Sequence, residues 1–271
     1  MTRQPDPVFA FLQRLIPKHF LSRVVGSVAK SELPLIKGLF INIFCMLYRI
    51  DLSEAQREKA SDYRSFNDFF TRSLKPGRRT IQGTVSSPAD GTVAALGNID
   101  GDTLIQSKNH SYSLAKLLAS NNIDDFSAGS FITIYLAPHN YHRVHAPWTG
   151  ELHHATYVPG DLFSVNQSTA LHLPDLFARN ERLVCRFQTD TGPTAAVLVG
   201  AMLVAAIKPA WLDEAYKPRL QITTEMKRVF HQGDELGQFE MGSTVILVFK
   251  ERMAFSVKEG EQVKYGQSIV S

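Results

Sequence analysis

The rhythm of hydrophobic and polar positions changes once along this chain. Up to about residue 49, apolar residues recur at helical spacing. Phe20, Val24 and Val28 form one series, Leu21 and Val25 a second, and Arg14, Lys18 and His19 interrupt them. This spacing predicts amphipathic helices, with Pro17 and Pro34 as breaks or starts. Ser53-x-x-Gln56 and Ser65-x-x-Asp68 read as helix-start signals, the second opening a short helix through Phe66, Phe69 and Phe70. The basic Lys75-Pro-Gly-Arg-Arg79 stretch reads as a loop and a boundary. From about residue 84, short β-rich runs alternate with Gly, Pro and Asp: 92–96, 131–136, 151–158, 183–188, 195–207, 220–224, 244–249 and 254–257. Only 114–118 and 173–178 keep a helical texture. The pattern predicts an α+β protein, with a β-dominated barrel or sandwich preceded by N-terminal amphipathic helices.

Two apolar stretches bear on membranes. The uncharged run between Lys37 and Arg49 is much shorter than the roughly 20 residues a spanning helix needs, so it fits a helix lying on a bilayer or on the protein's own core. The uncharged run 191–207 contains Gly192, Pro193 and Gly200 in a Val-rich alternation, which predicts two buried strand segments. The apolar stretch 8–16 is broken by Arg14 and lacks a cleavage site, so no secretory signal is expected. Internal echoes also occur. Pro88-Ala-Asp-Gly-Thr-Val93 resembles Pro147-Trp-Thr-Gly-Glu-Leu152, and Gly233-Asp-Glu-Leu-Gly237 resembles Gly260-Glu-Gln-Val-Lys-Tyr-Gly266. Such turns occur in lipoyl-like hybrid barrels and in ordinary hairpins.

Charge sharpens the division of the chain. The formal net charge is only +3, too small to point to a nucleic-acid partner. Yet residues 1–50 hold seven basic residues against Asp6 and Glu32, and the remainder is slightly negative. The two cysteines, Cys45 and Cys185, form neither a disulfide framework nor a CxxC motif, which makes a reducing compartment the default.

Three places hold candidate chemistry. Five of the nine histidines lie between 139 and 154, and His139-Asn-Tyr-His142-Arg-Val-His145 directly follows a strand-like run. Histidine exchanges protons near neutral pH, and strand ends often carry catalytic groups. Asp90, in Ser87-Pro-Ala-Asp-Gly91, is a turn former that could also orient a histidine. Gly242-Ser243 enters a very apolar strand, and the glycine leaves its carbonyl open to attack by the serine hydroxyl.

In this order, these segments resemble the phosphatidylserine decarboxylases in their bacterial, membrane-associated proenzyme form. The resemblance rests on Tyr63-Arg-Ser-Phe-Asn-Asp-Phe-Phe70, Pro88-Ala-Asp-Gly91, Tyr141-His-Arg-Val-His145, Tyr157-Val-Pro-Gly-Asp-Leu-Phe-Ser-Val-Asn166, Leu176-Phe-Ala-Arg-Asn-Glu-Arg182 and Gly242-Ser-Thr244. It covers the chain from about residue 10 onward. Met241 stands where the family commonly has Leu, and His139-Asn140 where it often has Arg-Asp, so His139 is assigned no role.

The resemblance implies a self-processing enzyme. Ser243 would attack the Gly242 carbonyl, with His145 as base and Asp90 orienting it. The chain would separate into residues 1–242 and residues 243–271, which stay together as a heterodimer, alone or within a higher oligomer, and Ser243 would become a pyruvoyl group. That group, with neither PLP nor metal, would form a Schiff base with phosphatidylserine and accept electrons as carbon dioxide leaves. His142 would act in decarboxylation. Tyr157, Phe163, Ser164 and Asn166 would shape the substrate pocket, Ser164 and Asn166 donating to a phosphate. Residues 1–65 then become a membrane-binding region on the cytoplasmic face of the cell membrane, docked peripherally on anionic lipid, and residues 66–271 the decarboxylase domain. Two other readings compete. A zinc hydrolase could use His142 and His145 with His153 and His154, although HExxH is absent. A lipoyl-like membrane-binding module would predict an uncut chain.

Overall fold

The helices before the body show how local signals succeed and fail. The computed structural model describes residues 25–107, 110–201, 206–216, 220–240 and 243–271; the expectations for residues 1–24, Met241 and Gly242 lie outside the described residues. Helix α1 (Pro34–Tyr48) opens with its proline in the first turn, where the missing N–H costs nothing. Helix α2 (Phe66–Phe70) starts at Ser65, whose Oγ accepts the Asp68 N–H at 3.2 Å, as the spacing predicts. Ser53 starts no helix. Its N–H and hydroxyl both go to the Asp51 carboxylate, at 2.8 and 2.9 Å, and a turn follows. Phe66, Phe69 and Phe70 bury themselves with Tyr63, Ile41 and Ala29 in a small core of their own.

The body is built from strands that alternate between two cores. They are β1 (Gly91–Asn98), β2 (Thr103–Ser107), β3 (His110–Ser113), β4 (Ser130–Leu136), β5 (Arg143–His145), β6 (Gly150–Val158), β7 (Arg182–Thr189), β8 (Gly192–Gly200), β9 (Ile207–Pro209), β10 (Ile222–Phe230), β11 (Glu235–Phe239), β12 (Ser243–Phe249) and β13 (Gln262–Val263). Eight of them form one antiparallel sheet in the order β10-β6-β7-β8-β12-β4-β1-β13. Val245, Leu247 and Phe249 of β12 point to one face with Ala196 and Leu198 of β8; Ile246 and Val248 point to the other with Ala195, Val197 and Val199. Both faces are therefore apolar, and each needs a cover.

One face is covered by a second sheet, β5-β11-β9, which contributes Val144, Leu236, Phe239 and Ile207. The other is covered by the β2–β3 hairpin and three short helices, α3 (Leu114–Leu118), α4 (Gln167–His172) and α5 (Leu176–Arg179), through Leu104, Leu117, Ala170 and Phe177. The α+β class is as expected, but the large sheet is open. Its outer strands β10 and β13 do not pair, so no closed barrel forms among the described residues. β13 is only two residues long and pairs with β1 alone, too short an edge to close on β10. Within the uncharged run 191–207, Gly192–Gly200 form β8 and Ile207 opens β9. Residues 254–257 contribute only an isolated bridge, Phe255 to Val270.

Candidate active site

Ser243 is the first residue of β12 and is fully buried between Leu136 of β4 and Gly200 of β8. Its Oγ lies 3.4 Å from Nδ1 of His142. His142 is also fully buried and stacks on Phe70, with ring centroids 4.0 Å apart. Burial, and secondarily the Arg72 guanidinium, push its pKa down to about 3; the carbonyls of Pro138 and Ala137 oppose this. The ring is therefore neutral at physiological pH, and with its proton on Nε2 it offers Nδ1 as an acceptor for the serine hydroxyl. Arg72 supports this turn, donating to the His139 and Asn140 carbonyls at 3.2 and 3.3 Å. His139 contributes only that carbonyl to the arrangement.

His145 stands in a second layer. Its Nδ1 donates to the Gly233 carbonyl at 2.8 Å, which leaves Nε2 to accept from the Tyr141 hydroxyl at 3.0 Å. Its ring stacks on Tyr265 at 3.7 Å, and burial lowers its pKa, opposed first by the Gly233 carbonyl. Both ring nitrogens are thus engaged away from Ser243. Asp90 is not hydrogen-bonded to His145 either. It accepts from Arg79 at 2.7 Å and from the Tyr265 backbone N–H at 2.8 Å, so Tyr265 links it to His145, backbone on one side and ring on the other. The expected Asp90–His145–Ser243 chain of hydrogen bonds is therefore not formed. His142 is the histidine that reaches the serine, because it sits opposite the β12 end while β5 carries His145 onto the second sheet.

The internal echoes meet here. The His145 N–H donates to the Pro88 carbonyl, and the Ser86 N–H to that of Pro147, so the two P-x-x-G turns touch. Gly233, Gly260 and Gly266 all have positive φ, between 86° and 94°, and the Gly233 carbonyl accepts from both His145 and Tyr265.

The 157–166 segment crosses between the two cores. Tyr157 is buried on the Ser243 face and stacks on Tyr216 at 4.7 Å. Phe163 and Val165 belong to the opposite core. Asn166 caps α4, its Oδ1 accepting the Thr169 N–H at 2.9 Å, and the Asn166 N–H lies 3.4 Å from Ser164 Oγ. Tyr157 and Phe163 therefore lie on opposite faces of the large sheet. The four histidines of the zinc reading do not converge either. His153 pairs with Glu151 at the surface, at 2.8 Å, and among the described residues no three metal-ligating side chains come together.

Sequence reasoning missed Arg79, Tyr141 and Tyr265, which hold Asp90 and His145, and Glu181, which is buried two strands from Ser243 with Gly200 between them. Arg79 was hidden in a basic loop, yet its side chain is 6% exposed and bridges Glu54 and Asp90. Only its spacing from Asp90 could have hinted at this.

Comparison with known proteins bears directly on this arrangement. The family model described as phosphatidylserine decarboxylase matches residues 66–271, and one described as PSD matches residues 8–49. Relatives named phosphatidylserine decarboxylase proenzyme include that of Alcanivorax borkumensis, 48% identical over 96% of this chain and 94% of the relative. That of Acinetobacter baylyi is 46% identical over 94% and 91%, and one from Pseudomonas fluorescens 43% over 97% and 96%.

Proposed function

Because the chain belongs to the phosphatidylserine decarboxylase family, it is an enzyme that converts phosphatidylserine to phosphatidylethanolamine and carbon dioxide, and we propose that Ser243 both cuts the chain and becomes its prosthetic group. The observation that carries this reading is the buried Ser243–His142 contact at the head of β12. His142 Nδ1 takes the hydroxyl proton as Oγ attacks the Gly242 carbonyl carbon. The C–N bond breaks, the nitrogen takes a proton, and an ester replaces the amide. Elimination across Cα–Cβ of residue 243 then frees the Gly242 carboxylate. Hydration and loss of ammonia leave a pyruvoyl group at the head of residues 243–271.

Ser243 fits as the source of such a group. It is shielded from water, and β12 is held by full ladders to β4 and β8 that do not depend on the bond before it. The group would supply an electron sink for loss of carbon dioxide. The protein's residues do the rest. The apolar wall of Leu136 and Phe70 excludes water, and neutral His142 holds a proton position beside residue 243. His145 and Asp90 act as a positioning pair, joined through Tyr265 and tied to the turn at Gly233. Tyr157 contributes from the same face of the sheet; Phe163, Ser164 and Asn166 shape the loop behind it.

The lipid is reached from a membrane surface. Helix α1 exposes Leu35, Leu39, Ile43, Met46 and Leu47 along one side, and among the described residues no helix is long and apolar enough to cross a bilayer. Residues 1–65 therefore dock peripherally on the anionic cytoplasmic face, and residues 66–271 form the decarboxylase domain, its two chains remaining a heterodimer.

Intact-mass measurement tests the central step. Purified protein should give two chains divided between Gly242 and Ser243, while Ser243→Ala should stay uncut and His142→Ala should be cut at least 100-fold more slowly. Decarboxylation by a chain that remains uncut would overturn the proposal.

A further inference from the structure

The Asn180-Glu181-Arg182 stretch enters β7 with three polar side chains, of which two are fully explained by structure. Asn180 donates to the Phe163 and Gly200 carbonyls at 2.8 and 2.9 Å and accepts the Phe163 N–H at 3.1 Å. Arg182 donates to the carbonyls of Lys116, Leu117, Ala178 and Asn180. Glu181 is different. It is fully buried, its backbone is pinned by the Asp161 carbonyl and the Gly200 N–H, and its carboxyl forms no ion pair among the described residues; the one polar side chain that acts on it is the Tyr157 hydroxyl, which falls short of good hydrogen-bond geometry. A buried carboxylate with no cation beside it is costly, so such a group awaits a ligand or holds a proton.

Its position says which ligand. The sheet register aligns Glu181, Gly200, Ser243 and Leu136 in one row across β7, β8, β12 and β4. Alternation with Leu183, Leu198, Val245 and Ile134 puts all four on the same face. The residue between Glu181 and Ser243 is a glycine. A Cβ on Gly200 would meet Glu181 Oε1 at 4.0 Å, so the carboxyl leans over the glycine, toward the strand that carries Ser243. Tyr157 of β6 lies on the same face with its hydroxyl beside Glu181; burial, and then the Glu181 carboxyl, raise its pKa. Burial lifts Glu181 to about 7, against the Tyr157 hydroxyl, which opposes the rise.

Resting on the proposed function, we propose that Glu181 receives the ammonium group of the substrate across the Gly200 gap and takes one proton from it. The N–H bond breaks, an O–H bond forms on Glu181, and the electron pair stays on nitrogen. An uncharged amine is thereby delivered beside residue 243. A carboxyl that is half-ionised near neutrality can both attract the cation and keep its proton.

The test uses the self-cut enzyme with short-chain phosphatidylserine in mixed micelles. Amine captured on residues 243–271 is trapped with cyanoborohydride and read by mass against pH. An amine with a pKa of about 8 is roughly nine-tenths protonated at pH 7, so Glu181→Gln should slow capture about tenfold there and recover as pH rises. Gly200→Ala keeps the carboxyl but fills the gap, and its added methyl makes only ordinary contacts, 3.4 Å from the Glu181 carbonyl oxygen and 3.9 Å from its Cβ. It should also slow capture, while both variants still cut themselves at the normal rate by intact mass. Wild-type capture by Glu181→Gln at every pH would overturn the inference, as would failure of a folded Glu181→Gln chain to cut. A wild-type chain that never cuts itself would remove the reading on which it rests.

Discussion

His142 and Glu181 are buried within the same site with their titrations displaced in opposite directions. His142 falls from 6.5 to about 3, so the unfolded chain binds a proton below about pH 6.5 that the folded protein refuses until about pH 3. Stability contributed by this residue is complete above pH 6.5 and is lost as pH falls. Glu181 rises from 4.5 to about 7, so the folded protein keeps a proton that the unfolded chain has released. Its stability is complete below pH 4.5 and is lost as pH rises through 7. Between about pH 4.5 and 6.5 the two slopes oppose one another. Compared with the uncut Ser243→Ala protein, adding Glu181→Gln should make stability fall more steeply toward acid in this window, and adding His142→Gln should make it fall less steeply, as denaturant unfolding would record; unchanged profiles would refute the assignment. At this scale the sequence exposed identities but not pairings. His142, His145, Asp90 and Ser243 stood out by type and motif. Which histidine meets the serine depends on β5 joining the second sheet, a long-range choice that a Tyr-His-Arg-Val-His run does not encode locally. Glu181 lay inside a recognisable motif, but only burial separates it from an ordinary surface carboxylate.

Helix α1 carries its hydrophobic residues on the wrong side for a core helix. Only Ile41 is buried, whereas Leu35 is 89% exposed and Met46 73%. Two basic residues on or beside it are engaged by the protein itself. Lys37 Nζ donates to the Tyr63 carbonyl at 2.6 Å, and Lys30 pairs with Glu240 at 2.8 Å. The exposed side of the helix therefore offers a bilayer apolar area. Leu39→Glu combined with Met46→Glu should reduce sedimentation with anionic liposomes at least tenfold without altering self-cleavage; undiminished sedimentation would count against this face. Longer strands were legible before the structure because their alternation runs over many positions: β4, β6 and β7 lie close to the expected positions. The three-residue strands β5 and β9 were not, since so few positions cannot reveal alternation. Ser53 failed as a helix start because Asp51, two residues earlier, satisfied it first.

At the scale of the molecule, the chain divides in two ways that do not coincide. Charge divides it near residue 50, between a basic arm and a slightly acidic body. The proposed cut divides it at Ser243, inside the body and at the start of one of its central strands. An α+β class with a large sheet was readable from the spacing of β-rich runs, but whether that sheet closed depended on β13, whose two residues give no sequence signal. The placement of β12 between β8 and β4 has a further consequence for the protein's history. While the chain is whole, β12 is tethered to its neighbours, and refolding is a unimolecular search. After the cut, the same strand is a separate molecule, and reassembly depends on concentration. Heated to unfolding and cooled at nanomolar concentration, uncut Ser243→Ala should regain its structure while the cut enzyme should not, as repeated thermal scans would record; equal recovery by both would contradict this. An enzyme cut at Ser243 would thus hold a structure that its two pieces reach efficiently only once, while still joined, and its working life would be set by how slowly it unfolds rather than by how well it can fold again.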